Sequence, residues 1–199
     1  MSRAPSLRDT LIDAGLTLLA EGGMPALTLR RAAARAGVSH AAPAHHFDGL
    51  PGLLTAMAAR AFVTFADALH QGRDSGGTDP WARLLGTTQG YLTFAAEHQG
   101  LFHLMFVSPE VDRNDPGLQP QATRSYMILR EACLPFAEPG ATDNAILEIA
   151  VWSLVHGYAA LGFKAGMRRG FEPLPAFEHL LKELLAARRN PLAPRRATR

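Results

Sequence analysis

Three histidines lie within the segment "AGVSHAAPAHHF", residues 36–47, and imidazole groups can bind a metal ion, transfer protons or contact an anion. His40 and His45 are five positions apart, and His45 and His46 are adjacent. No pair therefore has the three- or four-residue spacing that places two metal ligands on one helix face. No cysteine or carboxylate lies within the segment, so we expect no metal site and interpret the histidines as surface groups that contact phosphate.

The charge around these histidines is positive. No acidic residue occurs between Glu21 and Asp48, whereas Arg30, Arg31 and Arg35 all lie in that interval. The complete chain of 199 residues has a formal net charge of only +2. Any affinity for a polyanion would therefore come from this local concentration of charge rather than from the protein as a whole.

Two short helices joined by a tight turn are predicted around the histidines. Thr28 can act as the N-cap of the first helix, and Gly37 occupies the position after it where a left-handed conformation is needed. Ser39 can cap the second helix, and the small residues Ala32 and Ala33 allow the two helices to cross closely. The pattern indicates a helix-turn-helix, whose second helix presents its first turns to the DNA major groove.

Helical patterns account for the rest of the chain, and no alternating apolar run indicates a strand, so the predicted fold class is all-α. A first helix should start at Ser6, with Asp9 completing a capping box, and end at the glycine pair 22–23. Asp79 and Pro80 should begin a helix that reaches about His98. Other helices are expected at about 50–71, 121–136 and 143–166, and within "PLPAFEHLLKELLAARR".

These elements divide the chain into three predicted parts. Residues 1–49 would form the helix-turn-helix domain, and residues 50–190 would form a helical ligand-binding and dimerisation domain. Residues 191–199 would be a basic, disordered tail, because the sequence there is rich in proline and arginine.

Several classes of protein are disfavoured by composition. The single cysteine, Cys133, cannot form an intrachain disulfide, and the longest apolar stretch, residues 149–163, is shorter than the roughly 20 residues that span a membrane. We find no nucleophile motif, no glycine-rich phosphate loop and no pair of metal ligands. The expectation is a cytoplasmic protein that is not an enzyme, has no cofactor and does not bind a membrane.

Two segments resemble a known family. The stretch "LRDTLIDAGLTLLAEGGMPALTLRRAAARAGVSHAAPAHHFDGLPGLLTAM" resembles the N-terminal DNA-binding domain of TetR-family transcriptional regulators. The stretch "WSLVHGYAAL" resembles the tryptophan-histidine-glycine motif of one class of TetR C-terminal domains. The resemblance implies a repressor that binds a pseudo-palindromic operator in double-stranded DNA as a homodimer and is released by a small-molecule effector.

The resemblance also implies which residues contact DNA, and it places Phe47 in the core. The chain departs from the family at Ala44, where an aromatic residue that contacts the DNA backbone is usual, and this should weaken or redirect operator binding. Pro43 also stands where many relatives have leucine. The implied phosphate or base contacts are Thr28, Arg30, Ser39, His40, Ala41, Ala42 and His45.

The effector site is less well defined, because aromatic side chains can either line a pocket between helices or fill the core. His156 is likewise either a buried histidine that holds helices together or a ligand contact. The residues considered for a pocket are Trp81, Tyr91, Phe94, Phe102, Phe106, Tyr126, Trp152 and His156.

The predicted helix at 143–166 is apolar nearly all round, so one side can face the core and the other a partner subunit. Together with the helix that contains residues 177–185, it resembles the dimerising pair of the TetR family. A two-fold dimer would also supply a second helix-turn-helix for a palindromic site. The alternative function is an architectural DNA-binding protein without ligand control.

Overall fold

The computed structural model describes residues 6–137, 144–163 and 174–189, so the predicted tail at 191–199 lies outside the described residues. All regular secondary structure in those ranges is helical, which confirms the all-α fold class. Two short 3-10 turns, Ala42–His45 and Leu134–Phe136, accompany the α-helices. The helices are α1 (Leu7–Ala26), α2 (Leu29–Arg35), α3 (Gly49–Ser75), α4 (Pro80–Glu97), α5 (Gln99–Phe106), α6 (Gln119–Cys133), α7 (Ala145–Phe163) and α8 (Phe177–Arg189).

The predicted caps of the first two helices are present. The Ser6 hydroxyl accepts a hydrogen bond from the Asp9 N–H at 3.1 Å, and the Thr28 hydroxyl accepts one from the Arg31 N–H at 3.1 Å. Gly23, with a φ of 65°, interrupts the helical backbone near the end of α1, as the glycine pair predicted. Gly37 has a φ of 71°, which is the left-handed conformation expected after α2.

The second helix of the helix-turn-helix is shorter than predicted, and the prediction that Ser39 caps it is wrong. Only the 3-10 turn Ala42–His45 forms, with no side-chain cap. The Ser39 carbonyl instead accepts the Ala42 N–H at 3.0 Å, which is a bond across three residues rather than four. Pro43 would be the next donor to that carbonyl in an α-helix, but it has no N–H, so the α-helical pattern cannot start there.

The long helix α3 connects the two ends of the molecule. It packs against α1 and α2 near its start and against α4 and α6 along the rest of its length. The buried hydrophobic residues form one continuous cluster from Leu11 in α1 to Leu181 in α8. The division of the chain at residues 49 and 50 therefore stays a prediction, because α3 begins there but belongs to the packing on both sides.

The later helices follow the predicted pattern with one addition. α4 begins at Pro80, and its N-cap Asp79 accepts the Ala82 N–H at 2.9 Å. α5 forms where the sequence indicated only a short apolar segment, and three of its residues, Phe102, Leu104 and Met105, are buried.

Within the part of the chain that the structure describes, two helices contain stretches that are apolar and long enough to cross a membrane by length and composition alone. They lie in α3, where 61% of the stretch is buried, and in α7, where 28% is buried. The difference arises because α7 buries Leu147, Val151 and Val155 but exposes Ile146 and Ile149 on the other side. α7 therefore has an uncovered apolar face.

The backbones of α3 and α4 touch at glycines. A Cβ added to Gly86 would lie 2.0 Å from the Gly72 carbonyl oxygen, and a Cβ added to Gly90 would lie 2.3 Å from the Ala68 carbonyl oxygen. Since neither carbonyl can rotate away as a side chain would, only glycine allows the helices to approach this closely.

We predict that Gly86→Ala lowers the free energy of unfolding by about 3 kcal/mol, because the added methyl group must force α3 and α4 apart. Denaturant unfolding followed by circular dichroism measures this change. Gly162→Ala in α7 is the matched control, since its added Cβ would meet no atom within 4 Å. Equal stability of Gly86→Ala and the wild type would contradict the close contact.

Candidate DNA-binding surface and ligand cavity

The residues predicted to contact DNA are almost all on the protein surface. Ala42 is half-buried, and directly beneath this segment Pro43 and Phe47 are buried and attach it to the core. The guanidinium of Arg8 lies over the Phe47 ring, with its Cζ 5.4 Å from the ring centroid. The exposed members of the predicted set are Thr28, Arg30, Ser39, His40, Ala41 and His45.

The positive charge of this surface is smaller than the sequence indicates. Arg35 forms a two-point ion pair with Glu21, one of whose hydrogen bonds spans 2.9 Å, and the same contact lowers the pKa of Glu21. Arg31 donates a hydrogen bond to the Ala26 carbonyl at 3.2 Å. Arg30 makes no hydrogen bond or ion pair with any residue that the structure describes. Among the described residues only Arg35 of the α2 arginines is ion-paired, so Arg30 and Arg31 both keep a charge that can contact DNA.

Ion pairs link α1 to α3 behind this surface. The Arg60 guanidinium contacts the carboxylates of Asp9 and Asp13 at 2.7 and 3.1 Å. The pKa of Asp9 is lowered, chiefly by the hydrogen bond from the Ser6 hydroxyl and then by Arg60. All three groups are partly exposed, so the pairs fix the relative orientation of α1 and α3 more than they stabilise the fold.

A cavity lies between α3, α4, α6 and α7, and Phe106 of α5 also lines it. The free volume inside it is only about 20 Å³. As the side chains stand, it would admit about one water molecule, so a larger guest must push the walls apart. The lining residues are mainly aromatic and aliphatic: Phe62, Phe65, Leu69, Thr87, Thr88, Tyr91, Phe106, Ala122, Ser125, Tyr126, Leu129, Trp152 and Val155.

Two tyrosines of the cavity wall bind polar groups behind them. The Tyr91 hydroxyl lies 2.7 Å from Nδ1 of His156, and burial raises the pKa of Tyr91. The Tyr126 hydroxyl donates a hydrogen bond to the Glu148 carboxylate at 2.5 Å, and this bond raises the pKa of Tyr126 to about 12. The other oxygen of Glu148 lies 3.6 Å from Nε of Arg130.

The eight residues considered for the effector site separate into three groups. Tyr91, Phe106, Tyr126 and Trp152 line the cavity. His156 does not line it, but lines a neighbouring surface depression together with Phe106 and Trp152. The remaining three lie elsewhere: Trp81 contacts Lys182, Phe94 packs against Phe65 and His98, and Phe102 packs between Tyr91, Phe106 and His156.

Sequence reasoning missed the contribution of α3 to the cavity. Phe62, Phe65 and Leu69 lie at spacings of three and four residues, so they share one face of that helix. That periodicity was a usable signal, because the same helix connects the predicted domains. The hydroxyl residues Thr87, Thr88 and Ser125 had no comparable signal in the sequence.

Among the residues that the structure describes, no group of three histidine, cysteine or acidic side chains is placed to hold a metal ion. His40, His45 and His46 are all exposed. The interpretation of the cluster as a surface that contacts phosphate stays a prediction.

Comparison with known proteins decides the family. Residues 11–57 match the model of the bacterial regulatory proteins of the tetR family, and residues 84–184 match that of the tetracyclin repressor-like C-terminal domain. The chain belongs to the TetR family. Its N-terminal region is thus a TetR DNA-binding domain, and most of the residues that line the cavity, though not those of α3, lie within the match to the TetR C-terminal domain.

Solved structures share this TetR fold. A protein of unknown function from Rhodococcus sp. RHA1 is 26% identical, with a TM-score of 0.70 over 93% of this chain and 94% of that one. The TetR-family regulator PfmR from Thermus thermophilus is 22% identical, with a TM-score of 0.56 over 92% and 96% of the two chains. No curated protein matches the sequence.

The setting of His156 predicts a pH dependence of stability. The ring lies against Phe102 and Phe106, with centroid distances of 5.1 and 5.2 Å, and burial lowers its pKa. The unfolded chain, whose histidine has a pKa of about 6.5, therefore takes up a proton before the folded chain does. The contribution of His156 to the stability of the fold is therefore complete above about pH 6.5 and is lost as the pH falls below that value.

We predict that His156→Gln reduces the loss of stability between neutral pH and about pH 5.5, since glutamine does not titrate in this range and can still accept a hydrogen bond from Tyr91. Denaturant midpoints at the two pH values measure the effect. His103→Gln, at an exposed position of α5, serves as the control. An unchanged pH dependence in His156→Gln would contradict the prediction.

Proposed function

We propose that this TetR-family protein is a repressor that binds a pseudo-palindromic operator as a homodimer and is released when a small molecule occupies the cavity. The observation that carries the proposal is the presence, in one chain, of an exposed helix-turn-helix surface with an unpaired Arg30 and a cavity lined by aromatic side chains. Its place of action would be the cytoplasm, where DNA is accessible, and it would perform no catalysis.

Two sets of contacts support a path from the cavity to the DNA-binding surface. α5 carries Phe106 at the cavity, and its Gly100 packs against Leu19 of α1, so that a Cβ there would lie 3.4 Å from Leu19 Cγ. The loop after α5 is joined to α3 through a hydrogen bond of 3.0 Å from the Asp112 N–H to the Thr55 hydroxyl. A guest that displaces Phe106 would therefore shift α5 against α1 and α3, the two helices that pack against α2 of the DNA-binding surface.

In thermodynamic terms the effector and the operator would favour different positions of α5 and α3. Release then requires that the effector bind the displaced arrangement more tightly than the one that fits DNA. The alternative is an architectural DNA-binding protein without ligand control. Such a protein does not require a cavity that is lined by residues of five helices.

We further propose that the C-terminal domain belongs to the class with the tryptophan-histidine-glycine motif. Trp152 and His156 both line the surface depression next to the cavity. A Cβ added to Gly157 would meet no atom within 4 Å, so the surface of α7 is uncovered at this glycine. The three motif residues would thus serve the ligand and a partner subunit together.

The homodimer is expected to form through α7 and α8. Ile146 is 83% exposed, and Ile149 and Leu161 are also exposed on α7. Leu184 and Leu185 of α8 are only half-buried. An uncovered apolar face of this kind is typical of the interface of an obligate dimer.

We predict that Ile146→Glu converts the dimer to a monomer, because a charge within the proposed apolar interface must be desolvated without a partner. Light scattering at micromolar concentration measures the mass. Leu7→Glu, at an exposed apolar position of α1, should leave the dimer intact. A wild-type protein that is monomeric under these conditions would contradict the proposal.

We predict that Arg30→Ala weakens operator binding roughly tenfold and reduces its salt dependence, since the variant loses a free phosphate or base contact. Fluorescence anisotropy with DNA from the protein's own upstream promoter measures the affinity, with a random duplex as competitor. The double variant Glu21→Gln, Arg35→Gln removes the ion pair between α1 and α2 without changing the net charge, so it should bind the operator as tightly as the wild type does. Binding to promoter DNA no tighter than to the random duplex would contradict the proposed function.

A further inference from the structure

The chemistry of the cavity wall restricts the kind of molecule that can occupy it. No aspartate, glutamate, lysine, arginine or histidine is among the lining residues. A charged guest would therefore leave water and find no opposite charge at the wall, which costs several kcal/mol.

The threonine and serine hydroxyls of the wall are already engaged within the protein. The Thr87 and Thr88 hydroxyls donate to the carbonyls of Arg83 and Leu85, each at 2.8 Å. The Ser125 hydroxyl is shared between the carbonyls of Phe62 and Gln121, at 3.3 and 3.1 Å.

The two tyrosine hydroxyls are engaged as well. Tyr126 donates to Glu148, and the Tyr91 hydroxyl pairs with His156. The Trp152 indole lies close enough to Tyr91 to lower the pKa of that tyrosine, although the effect of burial is larger. A carboxylate or phosphate would find at most this indole N–H and no opposite charge at the wall, whereas a neutral guest loses nothing by the engagement of the hydroxyls.

A cation is the stronger competitor, because ring faces attract positive charge and the carboxylate of Glu148 lies behind Tyr126. That carboxylate is 3% exposed and already holds the Tyr126 hydroxyl on one oxygen and Arg130 near the other. Its charge is therefore satisfied, and only the ring faces remain to compensate a cation. Their attraction, about 2 kcal/mol, is smaller than the cost of desolvating an ammonium group.

The rings favour a flat aromatic guest. Phe65 and Tyr91 meet edge to face with centroids 4.9 Å apart, and Phe62 and Phe106 do so at 5.6 Å. These pairs present both ring faces and ring edges to the space between them, which is the surface that another aromatic ring prefers. The free volume of about 20 Å³ is far below the roughly 300 Å³ of small ligand pockets, so a guest must be compact and must displace the rings.

We propose that the effector is a compact, uncharged aromatic molecule that occupies the cavity and spreads its rings. The inference rests on the proposed function, since it names the class of effector for that site. Phe106 and Trp152 line both the cavity and the neighbouring depression, so movement of these two side chains would enlarge the cavity.

Three probes with the same ring system test the charge requirement: 2-naphthol, 2-naphthoate and 2-naphthylmethylammonium, which are neutral, anionic and cationic at neutral pH. Isothermal titration calorimetry with the full chain and without DNA measures each affinity. We expect 2-naphthol to bind at least about tenfold more tightly than either ion. An ion that binds as tightly as 2-naphthol, or the absence of binding by all three, would overturn the inference.

The position of the bound probe is tested with variants. Ala122→Leu adds volume at the cavity wall and should abolish 2-naphthol binding, and Leu129→Phe repeats the test at a second lining position. Ala96→Leu, at an exposed position of α4, should bind as the wild type does. Circular dichroism confirms that each variant is folded. Unchanged binding in a folded Ala122→Leu or Leu129→Phe variant would place the probe elsewhere and refute the assignment.

These experiments distinguish failure of the proposed effector class from failure of the proposed repressor function. Absence of 2-naphthol binding, together with specific operator binding, would reject the effector class and leave the DNA-binding function intact. Binding of 2-naphthol in the cavity without operator binding would reject the repressor and retain the ligand class.

Discussion

The close approach of α3 and α4 at Gly72 and Gly86 is the constraint on which the rest of the structure depends. Two backbones in contact cannot slide or separate without losing that contact, so the second half of α3 and α4 form one rigid unit. Phe65 and Tyr91, which lie on these two helices, meet edge to face as a consequence. One wall of the cavity is thereby fixed, and a guest must gain its space by moving the elements opposite, above all α5, α6 and α7.

The same rigidity gives α3 its role between the two ends of the molecule. Its start is tied to α1 by the ion pairs of Arg60, and its later turns are held by α4. In the proposed mechanism, motion that begins at Phe106 would not be absorbed by bending at the glycine contact. It would reach α1 through Gly100 and Leu19, and the first half of α3 through Thr55.

Local signals in the sequence predicted what depends on local chemistry. The caps at Ser6, Thr28 and Asp79 and the turn at Gly37 formed as expected, because each involves atoms within a few residues of one another. The failure at Ser39 has a local cause too, since the missing N–H of Pro43 outweighs a favourable capping residue.

What the sequence could not predict depends on contacts between distant segments. The pairing of Arg35 with Glu21 joins α2 to α1 and removes charge from a surface that looked uniformly basic. Aromatic residues alone did not distinguish the cavity wall from the core, because both are made of the same side chains.

The DNA-binding surface illustrates how these local and distant effects combine. Ala41, Ala42 and Ala44 carry no side-chain group that can form a hydrogen bond with a base edge, and the segment forms only a single 3-10 turn. Specific contacts would therefore fall to the longer exposed side chains around it, Arg30, His40 and His45. Buried Pro43 and Phe47 hold this turn against the core, so its position on DNA would follow the movement of the helices beneath it rather than a change in the turn itself.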